Sequence, residues 1–242
     1  MKRIIFILSL FTCTQSFPSE QVFEQGNKQY TDENYSVAIS LYDSILSTGM
    51  ESSELYYNLG NCHYKNNDWA NAIWHYEKSL QINNNKKTTH NLKLVKLKII
   101  DRIEPLPKLF YKRWWFNLTK TLGTQVWQIL ALLGICLIFT LQLISQFTTM
   151  KSKLIIKTLS TITLIILFIT QTSYYNNFIK KEAIIFSETI TINSAPTRNS
   201  TNLFTLHAGS KVEIIDVIGD WINIKIANGN SGWTESQSIK DL

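Results

Sequence analysis

Two stretches of this chain carry no charged side chain, Val126 to Phe147 and Thr158 to Tyr175. No other feature restricts the fold as much. Water cannot solvate such surfaces, and a helix of about 20 apolar residues matches the hydrocarbon thickness of a bilayer. The intervening SQFTTMKSKLIIK, with Lys151, Lys153 and Lys157, is polar and short enough to turn the chain back. The pattern predicts a two-helix transmembrane hairpin, with spans at 126–147 and 155–175. The most polar residues in the cores of the spans are Gln128, Gln142, Thr163 and Thr170. Ion and proton pathways depend on ionisable groups within the membrane, so the hairpin reads as an anchor.

Charge is segregated in the same way. The chain has 24 basic and 18 acidic side chains and a net charge of +6. Residues 105–181 hold nine basic groups and no acidic one, while both flanks are mildly acidic. Within residues 105–125, Lys108, Lys112, Arg113 and Lys120 alternate with Phe110, Tyr111, Trp114, Trp115 and Phe116. Interleaving of this kind serves single-stranded nucleic acid or a lipid surface. The adjoining uncharged runs decide for lipid. Residues 105–125 are expected to be an interfacial segment, with Trp114, Trp115, Lys112 and Arg113 at the membrane boundary. The bilayer is an expected partner and nucleic acid is not.

The amino terminus has Lys2 and Arg3, an apolar run from Ile4 to Phe11, and small polar residues before Pro18. That layout predicts a signal peptide at residues 1–16. It places the chain in a bacterial inner membrane, with the water-facing parts in the periplasm. Charge counting opposes this orientation, because Lys108, Lys112, Arg113, Lys120, Lys180 and Lys181 would then lie outside. The hydrophobic content of 45% excludes a disordered chain, and three cysteines exclude a disulfide scaffold. Cys62 and Cys136 read as small apolar packing groups.

Residues 17–85 repeat themselves at a spacing of 34: Gly26/Gly60, Asn27/Asn61, Tyr30/Tyr64, Ala38/Ala72, Ile39/Ile73, Tyr42/Tyr76 and Leu46/Leu80. Such a period marks stacked helix pairs. The expected helices are 20–32, 35–47, 54–66 and 69–82, joined by TDEN and KNND turns. The small residues allow close approach and the tyrosines fill the space between helices. Residues 86–104 are expected to form one capping helix, with Leu92, Val95, Ile99 and Ile103 on its apolar stripe. LGNCHYKNNDWANAIWHYEKSL (59–80) and QGNKQYTDENYSVAISLYDSIL (25–46) resemble the tetratricopeptide repeat. The resemblance implies an all-α solenoid whose groove binds an extended peptide through Phe23, Asn27, Tyr30, Tyr57, Asn61, Tyr64 and Lys65. Neither repeat has the family's terminal proline; Met50 and Asn84 stand there.

From Ala183 the pattern changes to short β-rich runs, AIIF, TITIN, LFTL, KVEIIDVI, WINIKIA and SGWTE, with Asn228-Gly229 as a hairpin signal. A small all-β barrel over 183–242 is expected. Pro196, Leu206, Gly209, Trp221 and Gly232-Trp233 occur in the order found in bacterial SH3-like domains, which this segment resembles. Trp221 and Trp233 are its surface candidates. Many relatives have arginine and glycine shortly before the proline, where Asn193 and Ala195 stand, which weakens a transfer of cell-wall (peptidoglycan) binding.

The four histidines are scattered, and no HExxH, CxxC, Walker loop or GxSxG turn occurs. No enzyme, cofactor or metal site is expected. The whole order runs from a signal through two repeats, a DRIEP-ending cap, a WW segment and two spans to KKEAIIF before the barrel. It resembles the BatE family of Bacteroides aerotolerance proteins. That resemblance implies a multidomain, membrane-anchored scaffold acting with other Bat membrane proteins in survival of oxidative stress.

Overall fold

Gly26 and Gly60 are where the 34-residue period becomes packing. A Cβ atom on Gly26 would lie 2.5 Å from Cε1 of Tyr42, and one on Gly60 would lie 2.6 Å from Cδ1 of Tyr76. Each tyrosine ring therefore occupies the volume that any larger residue would need. The chain divides into two units, Met1–Lys98 and Ile99–Leu242. The computed structural model describes residues 18–107, 109–147, 153–175 and 179–242. The expected signal peptide, Lys108 and Lys151 lie outside the described residues.

In the first unit the period forms two helix pairs, α1 (Pro18–Thr31) with α2 (Tyr35–Ser47) and α3 (Ser53–Lys65) with α4 (Trp69–Ile82). The repetition extends to the backbone of the turns. Glu33 and Asn67 both adopt left-handed φ, 62° and 59°. The next N–H groups, of Asn34 and Asp68, each donate to a carbonyl five residues back at 2.9 Å. This closure satisfies carbonyls that a helix end leaves open. Asp68 then caps α4 by accepting from the Asn71 N–H, and Ser52 caps α3 through Leu55. Ala38, Tyr42, Ile45, Leu55, Leu59 and Cys62 form the core between the pairs.

A fifth helix, α5 (Lys86–Lys96), packs on α4 and buries Thr88, Leu92 and Val95. Lys96 pairs with the largely buried Glu77 at 2.8 Å. The expected cap of 86–104 is corrected here, because the helix stops at Lys96. Ile103 instead packs against the core of the second unit. Helical spacing at Ile99 and Ile103 coincided with a segment whose side chains have partners elsewhere.

That partner is a seven-stranded antiparallel sheet ordered β3-β2-β6-β5-β4-β1-β7. Its strands are β1 (Glu182–Ile185), β2 (Thr189–Asn193), β3 (Asn202–His207), β4 (Lys211–Ile218), β5 (Trp221–Lys225), β6 (Ser231–Glu235) and β7 (Ile239–Asp241). One core joins Leu206 of β3 to Ala183 and Ile185 of β1, although these strands lie far apart in the ladder. The sheet is thus wrapped around its own apolar face. Alternation supplies that face: Ile190 and Ile192 on β2, and Ile222 and Ile224 on β5. Sequence reading missed β7, which is short and bears Lys240 and Asp241; its pairing with β1 makes it a strand. Asn228-Gly229 lies in a five-residue loop between Lys225 and Ser231, not in a two-residue turn.

Asp101 ties the segment leaving the repeats to this sheet. Its Oδ2 accepts from the His207 backbone N–H at 2.6 Å and from Ser210 Oγ at 2.5 Å, and its Oδ1 lies 2.8 Å from His207 Nδ1. Leu106 N–H donates to the carbonyl of Ala227 at 3.2 Å. Between this strap and the sheet, in chain order, lie α6 (Phe110–Thr121), α7 (Thr124–Phe147) and α8 (Lys153–Tyr174). The chain entering α6 and the chain leaving α8 consequently meet.

Helices α7 and α8 run antiparallel. Thr124 and Ser173 hydroxyls lie 2.9 Å apart, and ten residues further along both helices Gly134 faces Thr163, so closely that a Cβ would be 2.6 Å from Oγ1. Both helices are long and apolar enough to cross a membrane, with mean hydropathies of 2.2 and 1.9 and only 6% and 11% of those stretches buried.

Two outcomes follow from this packing. Gly60→Ala should destabilise the helical unit by about 1–3 kcal/mol through overpacking against Tyr76, read as a lower denaturation midpoint by circular dichroism in detergent. Burial works to raise the pKa of Asp101, yet hydrogen bonds from Ser210, then His207, hold its carboxyl below the ordinary range. The resulting stability is present above the unfolded aspartate value of about 3.9 and is lost as pH falls through the folded value. Asp101→Asn should cost about 1.5–3 kcal/mol at neutral pH and flatten this acid limb, measured by tryptophan-monitored unfolding across pH.

Candidate functional site

The seven groove positions lie on α1 and α3, and the structure gives their side chains unequal roles. Asn27 Oδ1 accepts from Tyr42 Oη at 2.7 Å and from Asn58 Nδ2 at 3.0 Å. One repeat later, Asn61 Oδ1 accepts from Tyr76 Oη at 2.7 Å and from Asn91 Nδ2 at 2.9 Å. The same three-part clamp is built twice, each joining three successive helices. Both asparagine oxygens are therefore committed to holding the helices. What Asn61 retains for a ligand is its amide N–H₂.

The aromatic positions also repeat. Tyr30 meets Tyr35 edge-on at 5.5 Å, and Tyr64 meets Trp69 edge-on at 5.5 Å. Phe23 and Tyr57 lie against Tyr42 and Tyr76, at 5.7 and 6.1 Å. These contacts are packing, which fixes the rings as walls. Tyr30, Asn61, Tyr64 and Lys65 come together around a cavity of about 160 Å³, with Tyr76, Asn91 and Leu94 completing its lining. Phe23, Asn27 and Tyr57 do not line it. Burial raises the pKa of Tyr30, Tyr42 and Tyr76, which keeps their hydroxyls protonated. The site is thus a neutral, aromatic-walled hollow with hydrogen-bond donors and one exposed ammonium, Lys65, at its edge. It suits a peptide side chain and the backbone beside it.

Sequence reasoning missed Asn91 and Leu94. The available signal was faint: Asn91 follows Asn58 by 33 residues, one short of the period. Cys62, next to the site in sequence, is buried, and burial pushes its thiol up to about 12. It is a packing group and not a nucleophile.

On the sheet, Trp221 lines a second hollow of about 270 Å³ together with Thr197, Arg198, Asp220, Glu235 and Gln237. Arg198 Nη2 pairs with Glu235 Oε1 at 2.9 Å across it. Trp233 lies outside this hollow, in the adjacent row between Asn193 and Asn223. The side-chain oxygens of those two asparagines are buried without a hydrogen-bond partner among the described residues. Both tryptophans are partly exposed, as surface candidates should be.

Asp101, His207 and Ser210 supply the residue types of a hydrolytic triad in the wrong arrangement. Ser210 donates its proton to the carboxylate, and His207 faces the other carboxylate oxygen. A nucleophilic serine needs the imidazole between itself and the acid. The cluster is a lock between strap and sheet. Among the described residues no group of three or more His, Cys, Asp or Glu side chains could hold a metal ion.

The clamp separates structure from recognition in a testable way. Asn61→Ala leaves Tyr76 and Asn91 without their shared acceptor and should cost about 1–3 kcal/mol of stability. Lys65→Glu changes an exposed residue and should leave the denaturation midpoint unchanged.

No curated protein matches this chain. Residues 53–86, which comprise α3, α4 and the start of α5, match the family model of the tetratricopeptide repeat, a protein-interaction module.

Proposed function

We propose that this protein is a non-catalytic scaffold or adaptor. Helices α7 and α8 anchor it in a bacterial inner membrane as a hairpin, and the repeat unit and an SH3-like domain are displayed in the periplasm. The repeat groove receives an extended segment of a protein partner in the hollow around Tyr30, Asn61, Tyr64 and Lys65. The chain is a BatE-family protein, working with other Bat membrane proteins in aerotolerance and survival of oxidative stress.

The observation that carries this reading is the exposed apolar surface of α7 and α8. A core helix in a soluble protein is mostly buried, whereas these two bury 6% and 11% of their most apolar stretch. The strap from Asp101 to His207 and Ser210 supports the hairpin, because it holds both ends of the helix pair on one side. The repeat match at 53–86 supports protein partners.

The hollow at Trp221 favours one alternative, a receptor that binds peptidoglycan through the sheet. A single experiment separates the two. Membranes carrying the parent chain or a Tyr64→Ala/Lys65→Glu variant are crosslinked and the products identified by mass spectrometry. A scaffold should crosslink through its repeats to membrane proteins, with recovery reduced about tenfold or more in the variant, equivalent to about 1.4 kcal/mol of binding. Unchanged partners would sink the groove assignment. Retention of the detergent-solubilised chain on isolated peptidoglycan, abolished by Trp221→Ala, would establish the alternative.

A further inference from the structure

Helix α6 presents three different surfaces around its axis, and together they specify what it lies against. Trp115, Phe116 and Thr119 form the inward side: Trp115 meets Phe168 of α8 at 5.4 Å, and Thr119 is 3% exposed. At 100° per residue, Phe110, Tyr111 and Trp114 fall on the opposite side. They are 83%, 51% and 65% exposed. Lys112 and Arg113, both exposed, fall on the flanks between these surfaces. The segment from 105 to 181 contains no acidic residue to neutralise them.

Neither bulk phase suits this helix. Three large rings turned outward on adjacent turns are unfavourable in water. Two cations without carboxylate partners are unfavourable in hydrocarbon. The layer between the phases satisfies both, with rings at the acyl boundary and cations among phosphates. Continuity supports the placement. Only Leu122 and Gly123 separate α6 from α7, and α7 turns Ile129, Leu132 and Leu133 outward at 56–61% exposure.

We propose that α6 is an interfacial helix docked on anionic phospholipid headgroups, on the leaflet from which the sheet projects. Phe110, Tyr111 and Trp114 enter the boundary region, and Lys112 and Arg113 contact phosphates. The structure thereby divides the adjacent tryptophans: Trp114 faces lipid, and Trp115 fastens α6 to α8. The inference rests on the reading of α7 and α8 as membrane spans, and the test distinguishes failure of one from failure of the other.

The full chain, with its native cysteines replaced by alanine, receives a spin label at Phe110→Cys or, separately, at Ile129→Cys. It is reconstituted into vesicles of phosphatidylcholine, with or without phosphatidylglycerol. Accessibility to oxygen, which partitions into lipid, is compared with accessibility to a water-soluble nickel chelate. The label at 129 should favour oxygen in both vesicles. The label at 110 should favour oxygen when phosphatidylglycerol is present, and Lys112→Gln or Arg113→Gln should each reduce its inserted fraction relative to the lifted one about fivefold at low salt. Nickel access at 110 with oxygen access at 129 would overturn the interfacial helix and leave the spans standing. Nickel access at both would overturn the spans and the inference with them. Protection of 110 from both reagents would mean a protein cover, and equal insertion in both vesicles would overturn the anionic assignment.

Discussion

Helices α7 and α8 touch one another along a narrow seam and turn the rest of their surfaces outward. The seam consists of small or hydroxylated contacts, Thr124 with Ser173 and Gly134 with Thr163, beside buried Trp127, Ala131 and Ile169. Each leucine or isoleucine left in water forgoes about 1.5–3 kcal/mol of burial. A dozen such residues exceed the whole stability of an ordinary domain, about 5–15 kcal/mol. The pair therefore requires an apolar surrounding, and that requirement organises the rest of unit two. Positive charge collects beside the pair, acidic residues are excluded from 105–181, and α6 keeps its largest rings outward.

A hairpin that leaves and returns needs its ends held together, and Asp101 provides the hold. One carboxylate receives the Ser210 hydroxyl, the His207 backbone N–H and the His207 ring, so its charge is satisfied within a partly buried site. Ile103 adds apolar contact with the sheet core and Leu106 adds a backbone bond. Polar direction and apolar burial act on the same short strap. The segment is for this reason extended and not helical, in spite of its helical spacing of isoleucines.

The first unit shows how much a repeat declares about itself. Gly26, Gly60, Tyr42 and Tyr76 were legible as partners because one bare position and one large ring recur together, and the helix boundaries followed to within two residues. The roles of Asn27 and Asn61 were not legible. Their recurrence is equally compatible with binding a peptide and with binding a tyrosine fifteen residues on. Only the arrangement of three helices shows that the oxygen is saturated and the amide is left.

By itself the sequence determined what depends on period and solvent: two helix pairs at 34 residues, two apolar helices, and short strands after residue 182. Those properties are set by neighbours along the chain and by which atoms water will accept. The tertiary structure decided which residues share a site. It brought Asn91 and Leu94 to Tyr30, Asn61, Tyr64 and Lys65, and made a strand of Ile239–Asp241 through pairing with β1. It turned Trp114 outward and Trp115 onto Phe168, and bound Asp101 to a histidine 106 residues away. Contacts of that separation depend on chain geometry in space, and no local pattern of residues encodes them.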